Sequence, residues 1–250
     1  MLEKNILGIP IVAENTNSIV SDLVNRAKSG ESGYVCVANV HMVTLAQKDT
    51  KLAGIMKKSI YNVADGMPLV WYLKQKYKSN VTRSSGAELA KKIAKEAATE
   101  KIKIYLFGAD LHTLKSMAHN LNKKFKDEII SGYHAPGKIG KKPTLMLDDL
   151  AKIKDKKPGI VFVGLGCPKQ EMWMALHAKQ SGLVFIGIGA AFDFIAGTKR
   201  RAPIWMQNSG LEWLFRLLQE PRRLFRRYLY YNTLFGIYLV REKIFGSKAP

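Results

Sequence analysis

Short apolar runs alternate with segments of helical period along most of the chain. The runs at Tyr34–Ala38, Tyr61–Ala64, Ile102–Phe107, Glu128–Ser131, Gly159–Leu165 and Leu183–Ile188 predict β-strands. Between them, apolar positions three and four apart predict helices over Ser18–Ala27, Met42–Lys57, Leu69–Lys76, Ala87–Thr99, Leu111–Phe125, Leu145–Ile153 and Met172–Gln180. Alternation of this kind predicts an α/β fold: a Rossmann-like, mainly parallel sheet with helices on both faces. In such sheets ligands sit outside the carboxyl ends of the strands. The residues just past each strand are therefore the place to look for chemistry.

Five strand ends run into polar or glycine-bearing turns: Asn39-Val-His41, Asp65-Gly-Met-Pro68, Gly108-Ala-Asp110, Gly166-Cys-Pro-Lys-Gln-Glu171 and Gly189-Ala-Ala-Phe-Asp193. One such turn is only a turn; five at one edge predict a site, with Gly108, Gly166 and Gly189 letting the backbone approach a ligand. The stretch 163–171 is the most informative. It reads as a buried strand, a Gly-x-Gly turn and a helix with Pro168 in its opening turn. Helix starts leave N–H groups free and favour anions, so this turn is expected to hold a phosphate-bearing or otherwise polar ligand. Gln170 is the better ligand candidate here. Glu171 is favoured at a helix start by the dipole alone, and Lys169 is open to two readings, phosphate partner or solvated charge. Asp65 also has two open readings: a cap for the helix starting near Met67, or a general base that takes a proton from a hydroxyl. Asn39 is a helix cap or a ligand residue, and His41 gains interest only if it lies beside Asp65. Asp148-Asp149 falls inside a helical pattern and reads as a solvated face. No zinc-ligand spacing, Walker A sequence or spaced Gly-x-Gly-x-x-Gly is present, so neither a metal nor a cofactor is expected.

Charge changes the picture at the C-terminal end. The 250-residue chain carries a formal net charge of +20, and residues 199–250 hold eleven Lys/Arg against three Glu, together with ten of the 24 aromatic residues. A boundary near Gly197–Pro203 therefore separates a catalytic core, 1–198, from a basic helical appendage, 199–250. Arg222, Arg223, Arg226 and Arg227 are placed on one side of a predicted helix, with Leu224, Tyr228, Tyr231, Phe235 and Tyr238 on the other. Basic amphipathic helices with aromatic residues lie in membrane interfaces, so an anionic membrane surface is the expected partner. No nucleic-acid module accompanies the charge, and nucleic acid is not expected. The longest apolar stretch, Tyr228–Val240, is too short to span and holds Asn232. The N-terminus lacks a signal-peptide pattern, and Cys36 and Cys167 offer no disulfide framework. These features lead us to expect a cytoplasmic, membrane-peripheral protein. The sequence leaves open whether it forms a homo-oligomer.

Asp65-Gly-Met-Pro68, Gly164-Leu-Gly-Cys-Pro-Lys-Gln-Glu171, Gly187 to Gly197, Arg201-Ala-Pro203 and Gly210-Leu-Glu-Trp-Leu-Phe-Arg-Leu-Leu-Gln-Glu-Pro-Arg-Arg223 resemble the WecG/TagA/CpsF glycosyltransferases, also grouped as glycosyltransferase family 26, over residues 5 to 242. The resemblance implies transfer of a sugar from a UDP-sugar donor to a polyprenyl-diphosphate-linked acceptor at the inner face of the plasma membrane. It is strongest toward the TagA branch, which transfers N-acetylmannosamine to GlcNAc-diphospho-undecaprenol in wall teichoic acid synthesis. UDP-ManNAcA or UDP-glucose as donor, and a non-catalytic sugar-nucleotide-binding adaptor, are the rival readings. The family's proposed base matches Asp65, its strand-end Asn matches Asn39, and its Gln near the sugar nucleotide matches Gln170. Its tail arginines, assigned to the diphosphate, match Arg216, Arg223 and Arg226, and Arg83, which is retained, is a further candidate for a phosphate contact. Two departures stand out. Val37 replaces the usual Thr of Thr-x-Asn, and Glu88 replaces an Asp in Arg83-Ser-Ser-Gly-Ala-Glu-Leu89.

Overall fold

The computed structural model describes residues 1–79, 81–137, 139–140, 143–179 and 181–246. A hairpin of β1 (Glu3–Ile6) and β2 (Ile9–Val12) is followed by α1 (Thr16–Lys28) and β3 (Gly33–Ala38). Then come α2 (Val40–Ala46), α3 (Thr50–Lys57), β4 (Tyr61–Ala64), α4 (Met67–Tyr77), α5 (Gly86–Thr99) and β5 (Ile104–Gly108). The chain continues through α6 (Leu111–Phe125), β6 (Ile130–His134), α7 (Leu147–Asp155), β7 (Ile160–Gly164), α8 (Lys169–Ala178) and β8 (Val184–Gly187). It closes with α9 (Ala191–Ala196), α10 (Ile204–Asn208), α11 (Glu212–Gln219) and α12 (Pro221–Phe245).

The sheet has eight strands in the order β1-β2-β4-β3-β8-β7-β5-β6. Among the described residues only β1 and β2 pair antiparallel, and the other neighbours are parallel. The expected α/β architecture is the observed one. Central strands are apolar on both faces because both are covered: β5, Ile-Tyr-Leu-Phe-Gly, is buried at every position. One apolar layer joins Ile104, Leu106, Phe162 and Ile186 to α1, α5, α6 and α9. The opposite layer joins Tyr105, Val163 and Phe185 to α2, α3, α4 and α8, and Phe235 of α12 enters that same layer. The C-terminal helix therefore packs on the core through a buried side chain.

Several elements depart from expectation. The stretch predicted as one helix over Met42–Lys57 is two. Asp49 adopts an extended backbone and its Oδ1 accepts from the Leu52 N–H at 3.0 Å, starting α3 afresh. The β1–β2 hairpin was not expected; its turn uses Leu7 and Gly8 at φ of 50° and 76°, and Leu is not a residue that signals a left-handed turn. Asp149, read as solvated, is buried, and its Oδ1 lies 3.2 Å from His134 Nε2 at the end of β6, whereas Asp148 is exposed. The predicted end of the Met172 helix, Gln180, lies outside the described residues.

Candidate active site

A pocket of about 310 Å³ opens at the carboxyl ends of β3, β4 and β8 and is walled on its far side by α11 and α12. Asn39, Asp65, Arg83, Gly166, Gln170, Gly189, Arg216 and Arg223 all line it. Four further candidates lie elsewhere. Gly108, at φ 104°, ends β5 against Gly164; a Cβ there would come within 2.7 Å of Gly164 backbone atoms, so its glycine serves strand packing. Lys169 lines a second, more open hollow with Ala109, Gly164 and Leu165. Glu171 is fully buried behind the pocket. Arg226 is exposed and is not a lining residue; the neighbouring Arg227 is.

Asp65 follows β4 directly, its N–H held by the Ala38 carbonyl at 2.8 Å. It does not cap α4, which starts from Gly66 with no side-chain cap and Pro68 in its first turn. A quarter of the Asp65 side chain remains exposed, and Oδ1 lies 3.7 Å from an Arg83 amino group. Enclosure raises the Asp65 pKa above the usual carboxylate value; Arg83 opposes that rise and Glu212 adds to it. Asn39 does cap α2, its Oδ1 accepting from Met42 N–H at 3.1 Å. The cap leaves its amide group to the pocket. His41 lines the pocket, with its ring edge-on to Tyr231 at 4.3 Å. Burial, with Arg227 nearby, lowers its pKa to about 4, so the ring is neutral at pH 7.

Gln170 reaches the pocket from the first turn of α8 because β8 ends in glycine. A Cβ on Gly187 would come within 2.9 Å of Gln170 Nε2. That Nε2 donates to Glu171 Oε1 at 2.6 Å, while the buried Gln170 Oε1 has no partner and is left as an acceptor. Burial pushes the Glu171 carboxyl up to about 7.

Five arginines line the pocket (Arg83, Arg201, Arg216, Arg223 and Arg227) against two carboxylates, Asp65 and Glu212. Glu212 Oε2 accepts from Arg83 at 2.5 Å, and its Oε1 lies 3.5 Å from Arg201. Arg201 also donates to Ser85 Oγ at 2.8 Å and to Glu88 at 3.2 Å. The longer Glu at position 88 is thus what meets Arg201. Arg223 pairs with Glu220. Among the described residues, Arg216 and Arg227 have no carboxylate partner. Arg216 sits over the Phe194 ring at 5.6 Å, and Arg227 has a buried Nε with no hydrogen bond. Burial lowers the Arg227 pKa, and the charges of Arg216 and Arg223 add to this. Uncompensated guanidinium groups facing one cavity suit a ligand with several negative charges. Among the described residues, no group of three or more His, Cys, Asp or Glu side chains is placed to hold a metal ion.

Arg201, Glu212 and Arg227 were not among the residues expected in the site. Arg201 and Glu212 stand within the motifs that carry the resemblance, which was the one signal available for them; nothing in the sequence favoured Arg227 over Arg226. A family model described as the glycosyl transferase WecG/TagA/CpsF family matches residues 4–249. The chain belongs to the WecG/TagA/CpsF family. It is a glycosyltransferase, and membership implies a nucleotide-sugar donor and a lipid-linked acceptor. An arginine-rich pocket with a strand-end carboxylate is compatible with both substrates of such a transferase. The match includes α11 and α12, so the helices that wall the pocket are part of the WecG/TagA/CpsF unit.

Proposed function

We propose that this glycosyltransferase moves N-acetylmannosamine from UDP-ManNAc to GlcNAc-diphospho-undecaprenol, with inversion, in assembly of the wall teichoic acid linkage unit. The observation that carries the reading is the half-buried strand-end carboxylate of Asp65, in a pocket lined by five arginines. Asp65 takes the proton from the acceptor hydroxyl as that oxygen attacks the anomeric carbon and UDP departs. A single displacement of this kind inverts the anomeric centre. Negative charge grows on the leaving diphosphate, and Arg216, Arg223 and Arg227 supply preorganised positive charge for it without a metal. Asn39 and the free Gln170 oxygen offer hydrogen bonds to the sugar nucleotide.

Membrane attachment at the inner face of the plasma membrane belongs to the same proposal. Ile204 and Trp205 of α10, Leu218 of α11, and Phe225, Leu229, Ile237, Val240, Ile244 and Phe245 of α12 are exposed apolar side chains. Exposed apolar groups interleaved with Arg222 and Arg226 suit an anionic lipid surface. Among the described residues no helix is long and apolar enough to cross a membrane. The test is a screen of UDP-sugars against a lipid-linked GlcNAc-diphosphate acceptor, read by UDP release. Acceptor-dependent release with UDP-ManNAc supports the assignment. Release only with UDP-ManNAcA or UDP-glucose would reassign the donor, and none with any donor would favour a binding role.

A further inference from the structure

Among the described residues, Glu212 is the only carboxylate that the C-terminal segment contributes to the pocket. It is 9% exposed and lies between two arginines that also hold core residues. Arg83 spends its Nε on the Asp65 carbonyl at 2.7 Å, one amino group on the Gln207 carbonyl at 3.3 Å and the other on Glu212 at 2.5 Å. The last of these amino groups is also the one nearest the Asp65 carboxylate, at 3.7 Å, which is beyond hydrogen-bond reach. Arg83 is thus oriented by α10 and α11, through Gln207 and Glu212, and the carboxylate of Asp65 is left without its strongest available donor. The second oxygen of Glu212 faces Arg201, whose other contacts, Ser85 and Glu88, belong to the start of α5.

We propose that Glu212 is a positioning residue: by holding Arg83 off the Asp65 carboxylate, it keeps the base free and ties it to the docking of α10 and α11. The proposal rests on the reading of Asp65 as the base. Once the C-terminal segment lifts away, Arg83 loses the Gln207 and Glu212 acceptors together. Its freed amino group, 3.7 Å from Asp65 Oδ1, can then close on that oxygen, and a carboxylate in a direct guanidinium pair is a weaker base. The charged groups facing Asp65 are Arg83 from the loop before α5, Arg201 from the loop before α10, and Glu212 and Arg216 from α11. The His41 ring from α2 is neutral.

The test titrates the Asp65 carboxyl directly, by carbon-13 NMR of the full chain labelled at aspartate, with the resonance identified by its absence in Asp65→Asn. Glu212→Gln keeps a side-chain oxygen but removes the charge that competes for Arg83, so the Asp65 midpoint should move to lower pH. kcat should fall about tenfold or more as the base weakens, with the KM for donor changed far less. Arg201→Gln should move the midpoint the other way, because it removes a cation and leaves Glu212 wholly to Arg83. Loss of stability alone would not move the two variants in opposite directions. An unmoved or raised midpoint in Glu212→Gln, or a lowered one in Arg201→Gln, would overturn the proposal; if either variant fails to fold, the other decides. Full transfer activity in Asp65→Asn would instead overturn the base assignment, so the two failures are distinguishable.

Discussion

The docking of α12 can be broken from a position that does not line the pocket. Of its 25 residues, only Leu224 and Phe235 are buried, at 1% and 5% exposure. They are eleven positions apart, about three helical turns, and so share one face. The polar ties are Thr44 Oγ1 to the Tyr231 carbonyl at 3.4 Å, Lys48 to Tyr230 at 2.6 Å, and Tyr72 and Lys76 to Glu242 at 2.5 and 3.1 Å. Partly exposed contacts of this kind contribute little each, so the two apolar anchors dominate. Phe235→Ala should cost about 3–5 kcal/mol, from lost burial plus the cavity left behind. If α12 opens as its own unit, that cost raises its open population by a factor of about 100 or more. Hydrogen exchange read by mass spectrometry over 221–245 should therefore lose at least that much protection, while peptides from β3, β7 and β8 stay protected. Transfer should fall in parallel, since Arg223, Arg227, Tyr228 and Tyr231 are carried by the same helix. Unchanged exchange in α12 would refute Phe235 as an anchor. Equal loss of protection in the central strands would refute the division between core and appendage.

Three other outcomes are expected. Burial raises Glu171 from 4.5 to about 7, so the unfolded chain gives up that proton first. Wild-type stability then falls as pH rises from about 4.5 to about 7, by up to about 3 kcal/mol. Urea midpoints at pH 5 and pH 8 should show the fall, and Glu171→Gln should lack it; identical pH dependence in both proteins would contradict the assignment. Val37 is 6% exposed and lines the pocket beside Asn39, so Val37→Thr should raise kcat/KM with little change in Tm. A lower Tm without kinetic gain, as expected when a buried hydroxyl finds no partner at about 1–3 kcal/mol, would show a site adapted to valine. EDTA should leave transfer intact, because guanidinium groups are available to take the leaving-group charge. Complete loss restored by magnesium or manganese would overturn that mechanism.

The central strands were legible because burial on both faces leaves near-continuous apolar runs, and their alternation with helices pointed to the carboxyl ends, where the pocket opens. The β1–β2 hairpin was not legible: its strands are four residues each and its turn sets Leu7 at positive φ. The break between α2 and α3 leaves apolar periodicity intact and depends on one capping contact of Asp49. Asp149 looked solvated because its partner, His134, is fifteen residues away on another element. Within the site, the strand-end residues Asn39, Asp65, Gly166, Gln170 and Gly189 could be named before their convergence was visible. The rotational phase of α12 could not. Arg223 and Arg227, one turn apart, line the pocket, while Arg222 and Arg226, offset by about 100°, face outward. The inward turn of Glu171 and the reach of Glu212 to Arg83 depend on tertiary contacts that no local pattern records.

The role of Asp65 as base is tested most directly by the turnover of Asp65→Asn with UDP-ManNAc and a GlcNAc-diphosphate lipid acceptor, measured beside its affinity for the UDP-sugar. The side chain keeps its size while losing the ability to accept the hydroxyl proton. Turnover should drop by about 100-fold or more, with binding of the UDP-sugar largely retained. Near-normal turnover in this variant would place the base elsewhere and contradict the mechanism.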